Sequence, residues 1–185
     1  DAGMFPDDCP QQPVQDWPGC QLQDLNYTYD PVGNITQIRD NAQQIIFFRN
    51  KRVEPTSEYS YDALYRLIEA TGREHLGQAG GVVNPPAPHS HNDASRVAVA
   101  WAGNDGKAMG TYVERYLYDA VGNFMEMQHV GTDPAQPGWT RAYAYGETSL
   151  IEDGTGGSTR KTSNRLSSTT IGTATPEQYV HDAHG

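Results

Sequence analysis

The chain has 185 residues, enough for one ordinary domain with a core. Its hydrophobic content is 36% and its mean hydropathy -0.70, so the apolar supply is thin beside the roughly 45–50% usual for a globular domain. A net charge of -10 repels phosphate backbones, which argues against nucleic-acid binding by bulk electrostatics, and no run of about 18 apolar residues offers a membrane span.

Tyrosine dominates the aromatics, 11 against 4 Phe and 3 Trp. It suits half-buried sheet surfaces, where the ring packs and the hydroxyl stays polar. Gly and Pro together make 31 of the 185 residues, a turn-rich composition below the disordered range. The sequence starts at Asp1, shows no cleavable signal peptide, and reads as an excised piece of a longer polypeptide. Cys9 and Cys20 stand either as a short-loop disulfide or as two free thiols; two thiols without a nearby His do not make a zinc site.

In chain order, residues 1–25 hold Pro6, Pro10, Pro13 and Pro18, a density that forbids a regular helix or central strand. They read as an irregular lead-in packing through Phe5, Trp17, Leu22 and Leu25. Tyr27 and Tyr29 follow, two apart and therefore on one face of a strand. Asp30-Pro31-Val32-Gly33 then fits a type I turn, with Asp as acceptor, Pro preset in φ and Gly left-handed in a G1 bulge. Asn34 completes the corner, and Ile35 to Ile38 form the returning strand. Ile45-Ile46-Phe47-Phe48, the most apolar run, predicts a buried strand ended by Arg49 to Arg52.

A looser copy of the corner is Tyr59-Ser60-Tyr61-Asp62-Ala63-Leu64-Tyr65, where Tyr replaces the turn Gly and a different turn is expected. Leu67 to Ala70 returns, and Thr71 to His75 reads as a strand end and turn. About residues 77–95, with Gly80-Gly81 and Pro85-Pro86, form a flexible insertion; Arg96 to Trp101 is a strand or a short helix. A near copy of the first corner follows at Tyr116, Tyr118, Asp119, Gly122 and Asn123. Tyr143 and Tyr145 start a weaker copy with Gly146 in place of Asp, residues 154–161 read as flexible, Asn164 to Leu166 starts a strand, and Tyr179 opens a last copy.

Such hairpins are marginal singly, and the expectation is that they stack, bury each other's faces and form one continuous sheet. Aligning the returning strands puts Ile35, Leu67 and Phe124 at one position and Ile38, Ala70 and Met127 three residues on. Either both faces are partly apolar or a bulge shifts the register.

The Tyr-x-Tyr-Asp-x-x-Gly-Asn pattern resembles the RHS or YD repeat, closely at Tyr27–Ile35 and Tyr116–Phe124, partially at Tyr59–Leu67, and over about residues 26–185 in all. The string from Tyr61 to His75 is similar to the C component of bacterial insecticidal toxin (Tc) complexes and related Rhs proteins. The resemblance implies an all-β fold of antiparallel hairpins, a segment of a β-shell or solenoid that encloses a cytotoxic C-terminal region. It implies a secreted location outside the bacterial cell, with the rest of the shell and the other toxin-complex subunits as partners. The family's self-cleaving Rhs core and its toxin region find no match in this chain, so the expectation is a structural segment and not an enzyme, without cofactor or metal.

Sharper readings are weaker. His89, His91 and Asp93 sit in a loop of solvated type, and His181 and His184 overlap the repeat. Asp30, Asp62 and Asp119 read as turn acceptors rather than an acid cluster, and no Gly-x-Ser-x-Gly elbow occurs. The alternative function is a carbohydrate-binding module using exposed tyrosines.

Overall fold

A computed structural model describes residues 22–76, 106–133 and 138–182. Phe5, Cys9, Trp17 and Cys20, the expected insertion at 77–95 with His89, His91 and Asp93, the stretch Arg96 to Trp101, and His184 lie outside the described residues.

The strands are β1 (Leu25–Tyr29), β2 (Ile35–Asp40), β3 (Ile46–Phe48), β4 (Lys51–Val53), β5 (Thr56–Tyr61), β6 (Leu67–His75), β7 (Met109–Tyr118), β8 (Phe124–Gly131), β9 (Trp139–Ala144), β10 (Ser168–Ile171) and β11 (Glu177–Gln178). Nine of them form one sheet in the order β1-β2-β5-β6-β7-β8-β9-β10-β11, antiparallel throughout, while β3 and β4 pair separately. This is the all-β, antiparallel hairpin architecture expected from the repeats, with the hairpins joined edge to edge.

Register decides which residues share a face. Tyr27 pairs with Ile38 and Tyr29 with Ile35, leaving Thr36 as an extra residue on β2. The same offset recurs at Tyr59–Ala70 and Tyr61–Leu67 around Ile68, and at Tyr116–Met127 and Tyr118–Phe124 around Met125. A bulge after each corner thus answers the question left open by the alignment. It turns both apolar positions of the returning strand onto the tyrosine face. The packing is visible in the rings: Phe124 lies 4.7 Å from Tyr118 and 5.8 Å from Tyr116, centroid to centroid. The opposite face is polar, with Glu69 paired to Arg115 and Gln37 donating to Glu58.

Several expectations are corrected. The corner at Asp62 is not a different turn: Tyr65 takes the left-handed conformation at φ 62, its N–H donating to the Asp62 carbonyl as Gly33 donates to Asp30. A side chain held there is strained by about 1 kcal/mol, and the Arg66 contacts described below hold the corner in place. Thr71 to His75 continues β6 as one nine-residue strand. Gly72 inside it is covered by the ring of Tyr112, its cross-strand partner, so the missing side chain leaves no gap.

Ile46 to Phe48 is a strand, but of a short outlying hairpin, and Phe47 is 73% exposed. Arg49 and Asn50, at φ 47 and 61, make the two-residue turn, a geometry whose twist suits hairpins. Val53 on the return is fully buried. The hairpin is tied down by Arg49 on Asp133 at 3.1 Å, by Lys51 donating to the Thr132 carbonyl, and by Arg73 reaching the Gln43 side chain and the Gln44 carbonyl. Leu22, expected to pack, is 84% exposed, and Leu25 belongs to β1.

Where Gly146 replaces the corner Asp, the chain makes a longer excursion. It is pinned by a Thr148–Thr162 bridge and a 3-10 turn at Thr155–Gly157. Ser158 Oγ accepts from Gly154 N–H there. The strand expected from Asn164 begins at Ser168.

Candidate functional site

Two constellations carry the chemistry of the described chain: the repeat corners and a buried ionic cluster. Each corner is built around one carboxylate. Asp30 Oδ1 accepts the N–H of Val32 at 3.0 Å and of Asn34 at 2.8 Å, and Oδ2 accepts the Asn34 side-chain amide at 2.8 Å. Asp119 repeats this with Val121 at 3.0 Å, Asn123 N–H at 2.8 Å and the Asn123 amide at 2.9 Å. Asp62 does the same with Leu64 and Arg66, the Arg66 Nε standing in for the amide at 2.7 Å. Partial desolvation opposes ionisation of Asp30 and Asp119, but the donors outweigh it and hold both below the usual carboxylate range. Asp62 is lowered first by the Arg66 backbone N–H. These aspartates are bound each by its own turn rather than assembled as an acid cluster.

The tyrosines connect one repeat to the next. The second Tyr of a corner reaches the residue that opens the returning strand of the preceding repeat. Tyr61 donates its O–H to the Ile35 carbonyl at 2.8 Å, and Tyr118 to the Leu67 carbonyl at 2.9 Å. Tyr145 differs, its phenol oxygen accepting from the Phe124 backbone N–H. In the last copy His181 holds that place, and its Nε2 meets the Leu166 carbonyl at 2.8 Å. Arginine adds a second link. Arg66 Nη1 donates to the Asp119 carbonyl at 3.2 Å, with its guanidinium 4.9 Å above the Tyr118 ring. Arg165 repeats the contact on the Asp182 carbonyl at 3.1 Å.

Removing either hydroxyl, as Tyr61→Phe or Tyr118→Phe, lowers stability by about 1 kcal/mol in urea unfolding, the usual net worth of such a bond. A change below about 0.3 kcal/mol in both would show that water replaces the hydroxyl without loss.

The first Tyr of a corner varies more. Tyr27 and Tyr29 lie on the edge strand β1, 45% and 57% exposed, with centroids 6.4 Å apart. Tyr116 instead donates to Glu114 Oε2 at 2.6 Å. Tyr59 sits half-buried on β5 opposite Ala70.

That Glu114 contact leads to the second constellation. His129 on β8 is buried. Its Nδ1 lies 2.9 Å from Glu114 Oε1 on β7, and its Nε2 3.0 Å from Glu74 Oε2 on β6. The ring is stacked on Tyr112, 4.8 Å away, and on Trp139, 5.4 Å away and nearly parallel. The hydrogen bonds to Glu114 and then Glu74 overcome burial and raise the His129 pKa to about 9. Burial pushes Glu114 up, but the His129 and Tyr116 bonds outweigh it and bring it below its ordinary value. Tyr116 is pushed well above its ordinary value by burial, and then by its bond to the charged Glu114. The sequence reading missed this cluster entirely. Among the described residues, no group of three or more His, Cys, Asp or Glu is placed to hold a metal ion, and none of the helices is long and apolar enough to cross a membrane.

No protein-family model matches the chain. Toxin subunit YenC2 of Yersinia entomophaga is 37% identical over 108 residues, covering 58% of this chain and 10% of that protein. Toxin subunit YenC1 of the same organism is 38% identical over 110 residues, again 58% of this chain and 10% of that protein. A crystal structure of TcdB2-TccC3 without its hypervariable C-terminal region is 35% identical at a TM-score of 0.45, covering 67% of this chain and 5% of that one. One of TcdB2-TccC3-Cdc42 is 38% identical at 0.43, with the same coverage. The chain therefore spans about a tenth of the length of the curated relatives it matches. The sequence identity to the two toxin subunits and the recurring corners make the matched part of the chain similar to RHS/YD-repeat proteins of the kind represented by the C component of bacterial insecticidal toxin complexes.

Proposed function

We propose that this chain is a structural RHS-repeat segment, part of the wall of a shell that encloses a cytotoxic C-terminal region and acts outside the producing cell. Its partners on this reading are the rest of its own shell and other subunits of the toxin complex. Catalysis is assigned to none of its residues. The observation that supports the reading is the bond from successive copies to a carbonyl of the repeat before, through Tyr61, Tyr118 and His181. Such a link adds hairpins edge to edge without closing the sheet, and it leaves β1 and β11 as edge strands among the described residues. Unpaired strand edges are normally covered by further structure. Sugar binding by exposed tyrosines is less well supported: Tyr27 and Tyr29 lie on the edge strand β1, and Tyr65, also exposed, is a turn residue of the Asp62 corner.

The test is limited proteolysis of the full-length gene product that carries this segment. The C-terminal region is expected to survive when the corners are intact and to be cut when Asp62→Ala and Asp119→Ala loosen them. A C-terminal region cut equally, or protected equally, in both forms contradicts an enclosing wall.

A further inference from the structure

We propose that Glu74, His129 and Glu114 form an ionic fastener that holds the end of β6 to β7 and β8 only while the imidazole carries both protons, so that alkaline conditions release this part of the sheet. The geometry requires the doubly protonated ring. Both nitrogens lie within 3.0 Å of a carboxylate oxygen, and a carboxylate only accepts. A neutral imidazole has one N–H, so one carboxylate then faces a lone pair across a buried contact.

A neutral ring keeps one N–H, so once a proton has left to water from either nitrogen the imidazole holds Glu74 or Glu114 and no longer both. Glu114 retains the O–H of Tyr116 at 2.6 Å whichever proton leaves, and loss from Nε2 takes the ring N–H away from Glu74. Glu74 pairs with Gly110 in the β6–β7 ladder, and two residues on the Leu76 N–H donates to the Ala108 carbonyl at 2.6 Å. Leu76 itself is buried and packs on Gly110. Loss of the Glu74 tether therefore loosens the last rungs of that ladder.

The other groups facing the ring are Tyr112 from β7 and Trp139 from β9, with the Arg141 guanidinium of β9 5.5 Å over the Trp139 ring, while Tyr116 of β7 reaches the cluster through Glu114. Tyr59 of β5 acts on Tyr112 electrostatically. Tyr112 and Tyr116 are both raised above their ordinary range, so they stay neutral while His129 titrates.

With the His129 pKa raised from 6.5 to about 9, its contribution to stability is fully present below about 6.5 and is lost as pH rises through about 9. Glu114, lowered from 4.5, contributes above that value and loses its contribution as pH falls through its folded-state value. The fastener is therefore closed across neutral pH and opens on the alkaline side.

The test is NMR on the unaltered chain with labelled histidine, from pH 6 to 10.5. The His129 ring resonance is expected to titrate near 9, and amide-exchange protection at Leu76 to fall by about tenfold or more across that midpoint, after correction for intrinsic exchange. Glu74→Gln is expected to bring the midpoint down toward that of an ordinary histidine. A His129 midpoint below 7, or Leu76 protection unchanged through the midpoint, overturns the proposal.

Discussion

Replacing His129 with leucine is expected to destabilise the chain by about 3–5 kcal/mol at pH 7. Leucine fills much of the space beside Tyr112 and Trp139, so the loss is chiefly electrostatic. Glu74 and Glu114, with side chains 11% and 17% exposed, are left facing an apolar group with no compensating cation between them. Breaking a buried pair from one side costs far more than removing both sides, because the remaining charge stays desolvated. The triple variant His129→Leu, Glu74→Gln, Glu114→Gln is therefore expected to regain most of the stability. Guanidinium unfolding of the two variants beside the parent decides the matter. A single-variant loss under about 1 kcal/mol would show that the cluster relaxes into solvent when its cation goes.

Gly138→Ala is expected to cost about 3 kcal/mol or more, for a steric reason. Gly138 has φ 96, and a Cβ built there falls well inside the His129 carbonyl oxygen and close to Val130 Cα. Backbone cannot swing aside as a side chain can, so β9 must move off β8. Trp139 is the next residue and stacks on His129, so the displacement also unpacks the ring stack. Gly33→Ala is the control. It has the same left-handed backbone, at φ 98, but open space around the added carbon, and about 1 kcal/mol is expected. For a chain of this size, 3 kcal/mol corresponds to a melting-temperature drop of roughly 6–12 °C. Equal drops for the two variants would show that conformation alone, and not the clash, sets the cost.

Local chemistry was legible and distant pairing was not. The corner at Asp30 could be read because its acceptor, its left-handed glycine and its side-chain amide lie within five consecutive residues. The same logic failed at Asp62, where the carboxylate and Arg66 hold the turn strongly enough for Tyr65 to take the glycine's conformation. Periodicity left the two faces undecided, because a bulge is a property of a strand pair and not of one strand. The Glu74–His129–Glu114 cluster had no local signature. Its members come from three strands, with Glu74 and His129 55 positions apart, and only the antiparallel register aligns them. One signal was available for the repeat links. The second aromatic of the corner is Tyr61, Tyr118, Tyr145 and then His181, always a ring with a polar group and never Phe. That preference marks a polar group with a fixed partner, here 26 and 51 residues away for Tyr61 and Tyr118.

Thr36, Ile68 and Met125 are one extra residue apiece, each on the returning arm of its hairpin and each just beyond the corner. Every such insertion bends its strand and adds right-handed twist. Because all three occur at the same place in the repeat, the bends accumulate in one sense instead of cancelling. Each extra residue is therefore expected to bend the sheet where it stands, and deleting Thr36, Ile68 or Met125 to flatten it locally rather than merely shorten a strand.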